Sequence, residues 1–327
     1  MSTAHKKKKP QIAVIYGGPS SDHEVSLNTG KNMIAALNRK KYSVLPVFIS
    51  KKGAWSIREK EMAPEKILKK TDVVLNAMHG EFGEDGAVQG FLDMLAIPYT
   101  GSGQKASMIG MDKTLTKYLS ALAGVRVAPS ILATKGQKTA LPFPFPVVVK
   151  PNSRGSSVGV SIVHNDKEFA RALRETFKHD TVALVEQFIK GREITLGVLE
   201  QFRGKKLFPL PPTEIIPGEA STFFDYRAKY VAGAASEITP ARISPALTKK
   251  AQEVAMRTFR AVGARHYARV DMIIDDKNNI WMLEINTLPG MTATSLLPQQ
   301  AKYIGLDLEK LLEHLIQLAT FERRFKN

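Results

Sequence analysis

Cysteine is absent from the 327 residues, which excludes disulfides, thiolate catalysis and cysteine-ligated zinc. No apolar run approaches the roughly 20 residues that cross a bilayer, so no membrane partner is expected. The stretch Met1 to Pro10 is charged and leads into no apolar core, which argues against a secretory signal and for a cytoplasmic protein. Also missing are a GxxxxGK(S/T) phosphate loop, a zinc finger, a helix-turn-helix and an RNA-recognition motif. Acidic residues are in deficit, 31 against 47 basic ones, for a net charge of +16. Such an excess would suit a nucleic-acid ligand. Four of the lysines, however, form one run, Lys6 to Lys9, that reads as a solvated tail, and the others are dispersed. No nucleic-acid partner is expected.

What is present is an α/β alternation over a hydrophobic fraction of 43%, enough for a sizeable core. Gln11 to Tyr16, Tyr42 to Ile49 and Asp72 to Asn76 read as strands around a helix from Val25 to Leu37, which implies a parallel sheet. Small residues cluster at Gly101-Ser102-Gly103 and close this unit. A helix is expected from Gly110 to Ala123, then strands Val147 to Lys150 and Val160 to Val163, a helix Lys167 to Phe177 and a strand Val182 to Glu186. A third unit starts near Gly191, with a helix Leu247 to Val262 and strands Ala268 to Ile274 and Ile280 to Ile285. The expected organisation is a basic tail 1–10, an N-terminal α/β unit 11–103, a central unit 104–188 and a C-terminal unit 189–327.

The strongest chemical signal lies in the last two strands. Arg269, Asp271 and Ile273 share one face, and Val270, Met272 and Ile274 the other. Met282, Glu284 and Asn286 are expected to share a face opposite Trp281, Leu283 and Ile285. A hairpin folded symmetrically about Lys277-Asn278 sets Asp271 opposite Glu284 and Arg269 opposite Asn286. Facing carboxylates repel, and a hard dication converts that repulsion into coordination. Asp, Glu and Asn oxygens with nucleotide phosphates are the ligands Mg²⁺ takes.

Three loops are less decisive alone. Asn152 to Gly159, with Lys150 before it, is either a mobile cover for phosphates or an ordinary Ser/Gly hairpin loop. Gly17 to Val25, a strand-to-helix junction, is either an anion site, an ammonium site using Asp22 and Glu24, or simple helix capping. His79 to Gly86 is a Gly-rich acidic loop whose histidine is either structural or functional. The Pro289-Gly290 turn after the acidic strands can present N–H groups to an oxyanion.

Taken in order, GGPSSDHEVSLNTG (17–30), HGEFGEDGAVQGFLDMLAIPYTGSG (79–103), MDK (111–113), VVVKPNSRGSSVGV (147–160), RVD (269–271) and LEINTLPGMT (283–292) resemble the D-alanine–D-alanine ligase family of ATP-grasp enzymes, from about Ile12 to about Leu318. The resemblance implies a three-domain ATP-grasp architecture with an N-terminal parallel α/β domain, a homodimer, and ATP-dependent joining of two D-alanines through an acyl phosphate for peptidoglycan precursor synthesis. It implies ATP contacts at Lys113, Lys150, Ser156, Ser157, Glu186, Gln187, Phe188, Ile189 and Glu193. It implies Mg²⁺ or Mn²⁺ at Asp271, Glu284 and Asn286, the trio reached from the hairpin. Substrate contacts are implied for Asp22, His79, Lys229, Arg269, Gly290, Ser295 and Leu296, with Asp22, Ser156, Tyr230, Arg269 and Gly290 at the chemistry. Asp22 stands where the family usually has glutamate, and Gln187 where a basic residue is common. A sibling ligase for another amino or hydroxy acid, and a nucleotide-binding protein without turnover, are the alternatives.

Overall fold

The computed structural model describes residues 8–155, 158–218 and 235–326. In the first sheet β1 (Gln11–Gly17), β2 (Ser43–Ile49), β3 (Trp55–Ile57), β4 (Lys60–Glu61) and β5 (Val73–Asn76) lie in the order β4-β3-β2-β1-β5. β1 pairs parallel to both β2 and β5, as the alternation of strands with α1 (His23–Ala36) and α2 (Pro64–Leu68) predicts. β1 is buried on both faces. Ile12 and Val14 enter one core, Ala13 and Ile15 the other.

The first of those cores is completed from the far end of the chain. Leu297 of α8 (Leu296–Tyr303) and Leu311, Leu312 and Leu315 of α9 (Leu308–Lys326) pack with Met33 and Leu37 beneath β1 and β5. Each fully buried leucine contributes about 1.5–3 kcal/mol, so the C-terminal helices are part of the N-terminal sheet's foundation.

Downstream of β5 come α3 (Ala87–Met94), α4 (Gln104–Met111) and α5 (Lys113–Leu122). The single helix expected over 110–123 is broken at Asp112, which is extended (φ −82°, ψ 104°). Its carboxylate accepts from Leu115 N–H at 2.9 Å and caps the new helix, so Lys113 becomes the first residue of α5. α5 is built inside out. Lys113, Thr116, Lys117 and Ser120 are buried, whereas Leu115, Tyr118 and Leu122 are exposed.

The second sheet is antiparallel, β6 (Ser130–Thr134), β7 (Val147–Pro151), β8 (Ser161–Val163) and β9 (Val182–Gln187) in the order β6-β9-β7-β8, with α6 (Asp166–Thr176) against it. The Ser/Gly segment 152–160 joins β7 to β8, between strands as the sequence implies. The third sheet runs β13 (Ala235–Ile238), β12 (Thr213–Pro217), β10 (Arg192–Phe202), β14 (Tyr267–Ile274), β15 (Ile280–Asn286), with β11 (Lys205–Pro209) also on β10. α7 (Pro245–Ala261) covers one face through Leu247, Ala251, Ala255 and Phe259. On the other face Gln300 of α8 accepts from Gly197 N–H (2.8 Å) and donates to the Thr195 carbonyl (3.0 Å). Among the described residues no helix is long and apolar enough to cross a membrane.

Candidate active site

The β14–β15 hairpin delivers the pairing read from the sequence by a different route. Asp271 pairs with Glu284 and Arg269 with Asn286. The turn, however, is centred on Lys277, with Asp275 N–H on the Asn279 carbonyl and Asn278 left-handed (φ +59°). That register would set Asp271 opposite Leu283. A bulge at Leu283 inserts one extra residue and restores the pairing. The bulge also corrects the expected faces. Met282 joins Val270, Met272, Ile280 and Ile285 in the core, while Leu283 turns to the site side beside Glu284.

Arg269 grips Asp271 with both ends of its fork, Nε to Oδ1 and Nη2 to Oδ2, each at 2.9 Å. The Thr195 hydroxyl donates to Asp271 Oδ1 at 2.5 Å from the neighbouring β10, where Thr195 pairs with Asp271. Asn286 Oδ1 accepts from Leu288 N–H at 2.9 Å, which starts the Pro289-Gly290 turn. Two cavities meet here. One, of about 510 Å³, is lined by His79, Arg269, Asn286, Gly290, Ser295 and Leu296 among others. The other, of about 130 Å³, is lined by Lys150, Glu186, Gln187, Phe188, Ile189, Glu193 and Asp271, with Val148, Ile162 and Leu283 making an apolar slot. Lys113 and Glu284 line both.

No three His, Cys, Asp or Glu side chains among the described residues converge on a metal site. Asp271 and Glu284 offer two carboxylates and Asn286 an amide, all hard oxygens, at the wall between the cavities. That set fits Mg²⁺, which typically takes one or two carboxylates and completes its octahedron with phosphate and water oxygens.

The lysines are arranged in a chain. Lys113 Nζ lies 3.8 Å from Glu284 Oε2 and also donates to the Arg154 carbonyl of the 152–160 segment. Lys150 Nζ contacts Glu186 Oε1 at 2.5 Å, and Lys117 Nζ lies 2.8 Å from Glu186 Oε2. Burial alone would raise the Glu186 carboxyl, but the charges of Lys117 and Lys150 prevail and hold it at about 2. Burial pushes the Lys117 ammonium down, an effect that Glu186 partly offsets. Glu186 is thus ionised at neutral pH.

The larger cavity is also lined by α1, through Val25, Asn28, Thr29 and Asn32, and by His79 and Glu84 of the 79–86 loop. Asp22 instead lines an adjoining cavity with Gly80, Glu81 and Arg154, which shares Met111 and Gly155 with the larger one. Gly17 and Gly18 are both left-handed (φ +94° and +96°), and a side chain on Gly17 would strike the Ile49 carbonyl. This turn starts α1 at Asp22, whose side chain does not cap the helix. Asp22 Oδ2 instead lies against Gly80, so the capping alternative for this acid falls away. The 79–86 loop is tied to α1 by His79 N–H to Ser26 Oγ (2.8 Å), Ser20 Oγ to the His79 carbonyl (2.5 Å) and His79 Nε2 to Thr29 Oγ1 (2.9 Å). His79 Nδ1 contacts Glu84 Oε1 at 2.8 Å. The histidine is both structural and a cavity wall. Ser295, at the start of α8, accepts from Thr292 N–H at 3.1 Å. Ser156, Ser157, Lys229 and Tyr230 lie outside the described residues.

Several partners carry no local signal. Thr195 sits in the alternation Glu193-Ile-Thr-Leu-Gly-Val198, which marks a strand but not a partner for Asp271, and Glu84 and Thr29 gain meaning only through His79. Lys117 had one available cue, its position four residues after Lys113.

A family model described as D-ala D-ala ligase C-terminus matches residues 128–317, and one described as D-ala D-ala ligase N-terminus matches 11–68 and 59–102. The chain belongs to the D-alanine–D-alanine ligase family. A family member from Syntrophobacter fumaroxidans, named D-alanine--D-alanine ligase, is 44% identical over 95% of this chain and 98% of its own length. The solved D-alanine--D-alanine ligase of Bacillus anthracis complexed with ATP is 34% identical, with a TM-score of 0.82 over 98% of this chain and 100% of that one. The VanG D-Ala:D-Ser ligase of Enterococcus faecalis superposes with a TM-score of 0.84 at 31% identity, over 95% and 100% of the two chains. The architecture is the family's ATP-grasp fold, and the ligase class expected from the sequence follows from membership.

Proposed function

We propose that this chain joins two D-alanines at the expense of ATP, giving D-alanyl-D-alanine, ADP and phosphate for peptidoglycan precursor synthesis in the cytoplasm. The observation that carries the reading is the shared wall. Lys113 and Glu284 border both the larger polar cavity and the smaller cavity with the apolar slot. A carboxylate held in the first is thereby presented to the γ-phosphate of a nucleotide held in the second.

In the proposed sequence the adenine occupies the slot beside Gln187, Phe188 and Ile189, and Glu193 reaches the ribose. Lys113 and Lys150 neutralise the phosphates, which is most of what phosphoryl transfer requires. Asp271, Glu284 and Asn286 would hold Mg²⁺ or Mn²⁺, which when bound would supply further neutralisation of the phosphate charge. Asp22 and His79 flank the first D-alanine, Asp22 taking its ammonium. Its carboxylate oxygen attacks the γ-phosphorus and ADP leaves. Arg269 and the Gly290 N–H then hold the carbonyl oxygen as the second amine attacks the acyl phosphate and phosphate departs. The Ser295 hydroxyl and the Leu296 N–H, at a helix N-terminus, suit the second substrate's carboxylate. The 152–160 segment covers the acyl phosphate from water, with Ser156, Ser157, Lys229 and Tyr230 assigned to the closed site.

Phosphate release from ATP decides among the readings. Release that requires both D-alanine and magnesium is expected. Release only with another amino or hydroxy acid would transfer the proposal to a sibling ligase. ATP binding without release on any of them would make this a nucleotide-binding protein.

A homodimer is part of the proposal, formed on the apolar face of α5, where Leu115, Tyr118 and Leu122 are 46%, 62% and 69% exposed. Exchanging Tyr118 and Leu122 for glutamate is expected to halve the mass measured by light scattering. An undiminished dimer would remove this face from the assembly.

A further inference from the structure

The inside-out helix α5 carries two lysines one turn apart, and the proposed reaction uses one of them. Lys113 borders both cavities, whereas Lys117 lines neither. Lys117 is instead sealed against Glu186, with side-chain exposures of 4% for each, and Lys150 completes the trio at 9%. Lys150 reaches Glu186 diagonally across the β7–β9 pair, since Glu186 stands opposite Val148. One carboxylate is thus divided between two ammonium groups, an oxygen for each. A buried carboxylate is tolerable only while it keeps a counter-charge.

We propose that Lys117 is a positioning residue for nucleotide binding, holding Glu186 so that Lys150 can exchange this carboxylate for a nucleotide phosphate. The inference rests on the ligase reading for the phosphate role of Lys150. As Lys150 turns to the phosphates, Lys117 remains as the counter-ion of Glu186. Without Lys117 the Glu186 carboxylate retains Lys150, and ATP must break that pair to bind. Lys117 itself touches no substrate, so the effect is confined to the nucleotide.

The test compares Lys117→Met, Lys117→Arg, Glu186→Gln and the double variant Lys117→Met/Glu186→Gln in the full chain. Calorimetry measures ATP affinity without D-alanine, and steady-state phosphate release gives KM for each substrate. The methionine variant is expected to weaken ATP binding about ten- to hundredfold, the size of one charge-assisted contact. Its KM for D-alanine should stay within about twofold, a split that a general loss of packing would not produce. Arginine should recover most of the ATP affinity. Once Glu186 is neutral there is no charge left to hold, so the double variant should bind ATP within about twofold of Glu186→Gln alone. Unchanged ATP affinity in the methionine variant, equal losses for both substrates, or additive losses in the double variant would each overturn the inference. If Lys117→Met alone does not fold, the comparison of the double variant with Glu186→Gln decides the matter. The ligase reading is tested separately by the unaltered protein: ATP binding without D-alanine-dependent release would refute that reading, while the affinity comparisons would still judge Lys117.

Discussion

Replacing Glu284 with glutamine should leave a folded protein that binds ATP and scarcely turns over. Glu284 stands opposite Asp271 across the hairpin and borders both cavities, with a side-chain exposure of 30% that leaves it open to a ligand. The exchange keeps shape and size and removes one unit of charge where the phosphates and the reacting carboxylate would meet. Losing an outer partner of a metal ligand typically costs about 10- to 100-fold. A direct ligand therefore sets a floor near about 100-fold on turnover. ATP affinity should fall less than about tenfold, because the apolar slot is untouched and Lys150 and Lys113 keep their charges, although Lys113 loses Glu284 as an ion partner. Steady-state phosphate release and calorimetry with ATP separate the two effects. Turnover near that of the unaltered protein would remove Glu284 from the metal site.

The same hairpin marks how far residues alone could be read. The facing of Asp271 with Glu284 was legible, because a period of two and a polar turn between apolar strands constrain the register. The bulge at Leu283 was not. A bulge leaves no mark on the residue types, and the assumed centre of symmetry happened to absorb its shift in pairing while the faces of Met282 and Leu283 came out reversed. β10 shows the same limit. Glu193 to Val198 alternates and marks a strand, with Ile194, Leu196 and Val198 in the core under α7 and Gly197 against α8, but nothing local says that Thr195 would meet Asp271. The break at Asp112 depends on a cap that a continuous helical pattern conceals, and the trio of Lys117, Glu186 and Lys150 joins elements far apart in sequence. Local periodicity therefore located the facing acids, and Ser/Gly composition the 152–160 segment. The counter-ions that hold them were set by tertiary packing.

Arg269 is where stability and chemistry are most tightly joined. Its guanidinium occupies both oxygens of Asp271 while lining the larger cavity, and the pair is nearly dry, with side-chain exposures of 11% and 8%. Arg269→Met should lower the unfolding free energy by about 3–5 kcal/mol, the usual cost of leaving one member of a buried ion pair uncompensated. Turnover should drop by about 10²–10³, the loss typical of removing a donor aimed at a developing oxyanion. The two effects can be taken apart. Adding Asp271→Leu to Arg269→Met replaces the pair by apolar side chains and should return most of the stability. Activity should not return with it, since both the donor and a metal ligand are gone. Arg269→Lys should fold but cannot reproduce the two-pronged contact, so its turnover should lie between the other variants and the unaltered protein. Urea titrations and phosphate-release rates on the same preparations measure both quantities. A methionine variant as stable as the parent would show that Asp271 does not depend on this arginine. A double variant that regained activity together with stability would confine Arg269 to the fold.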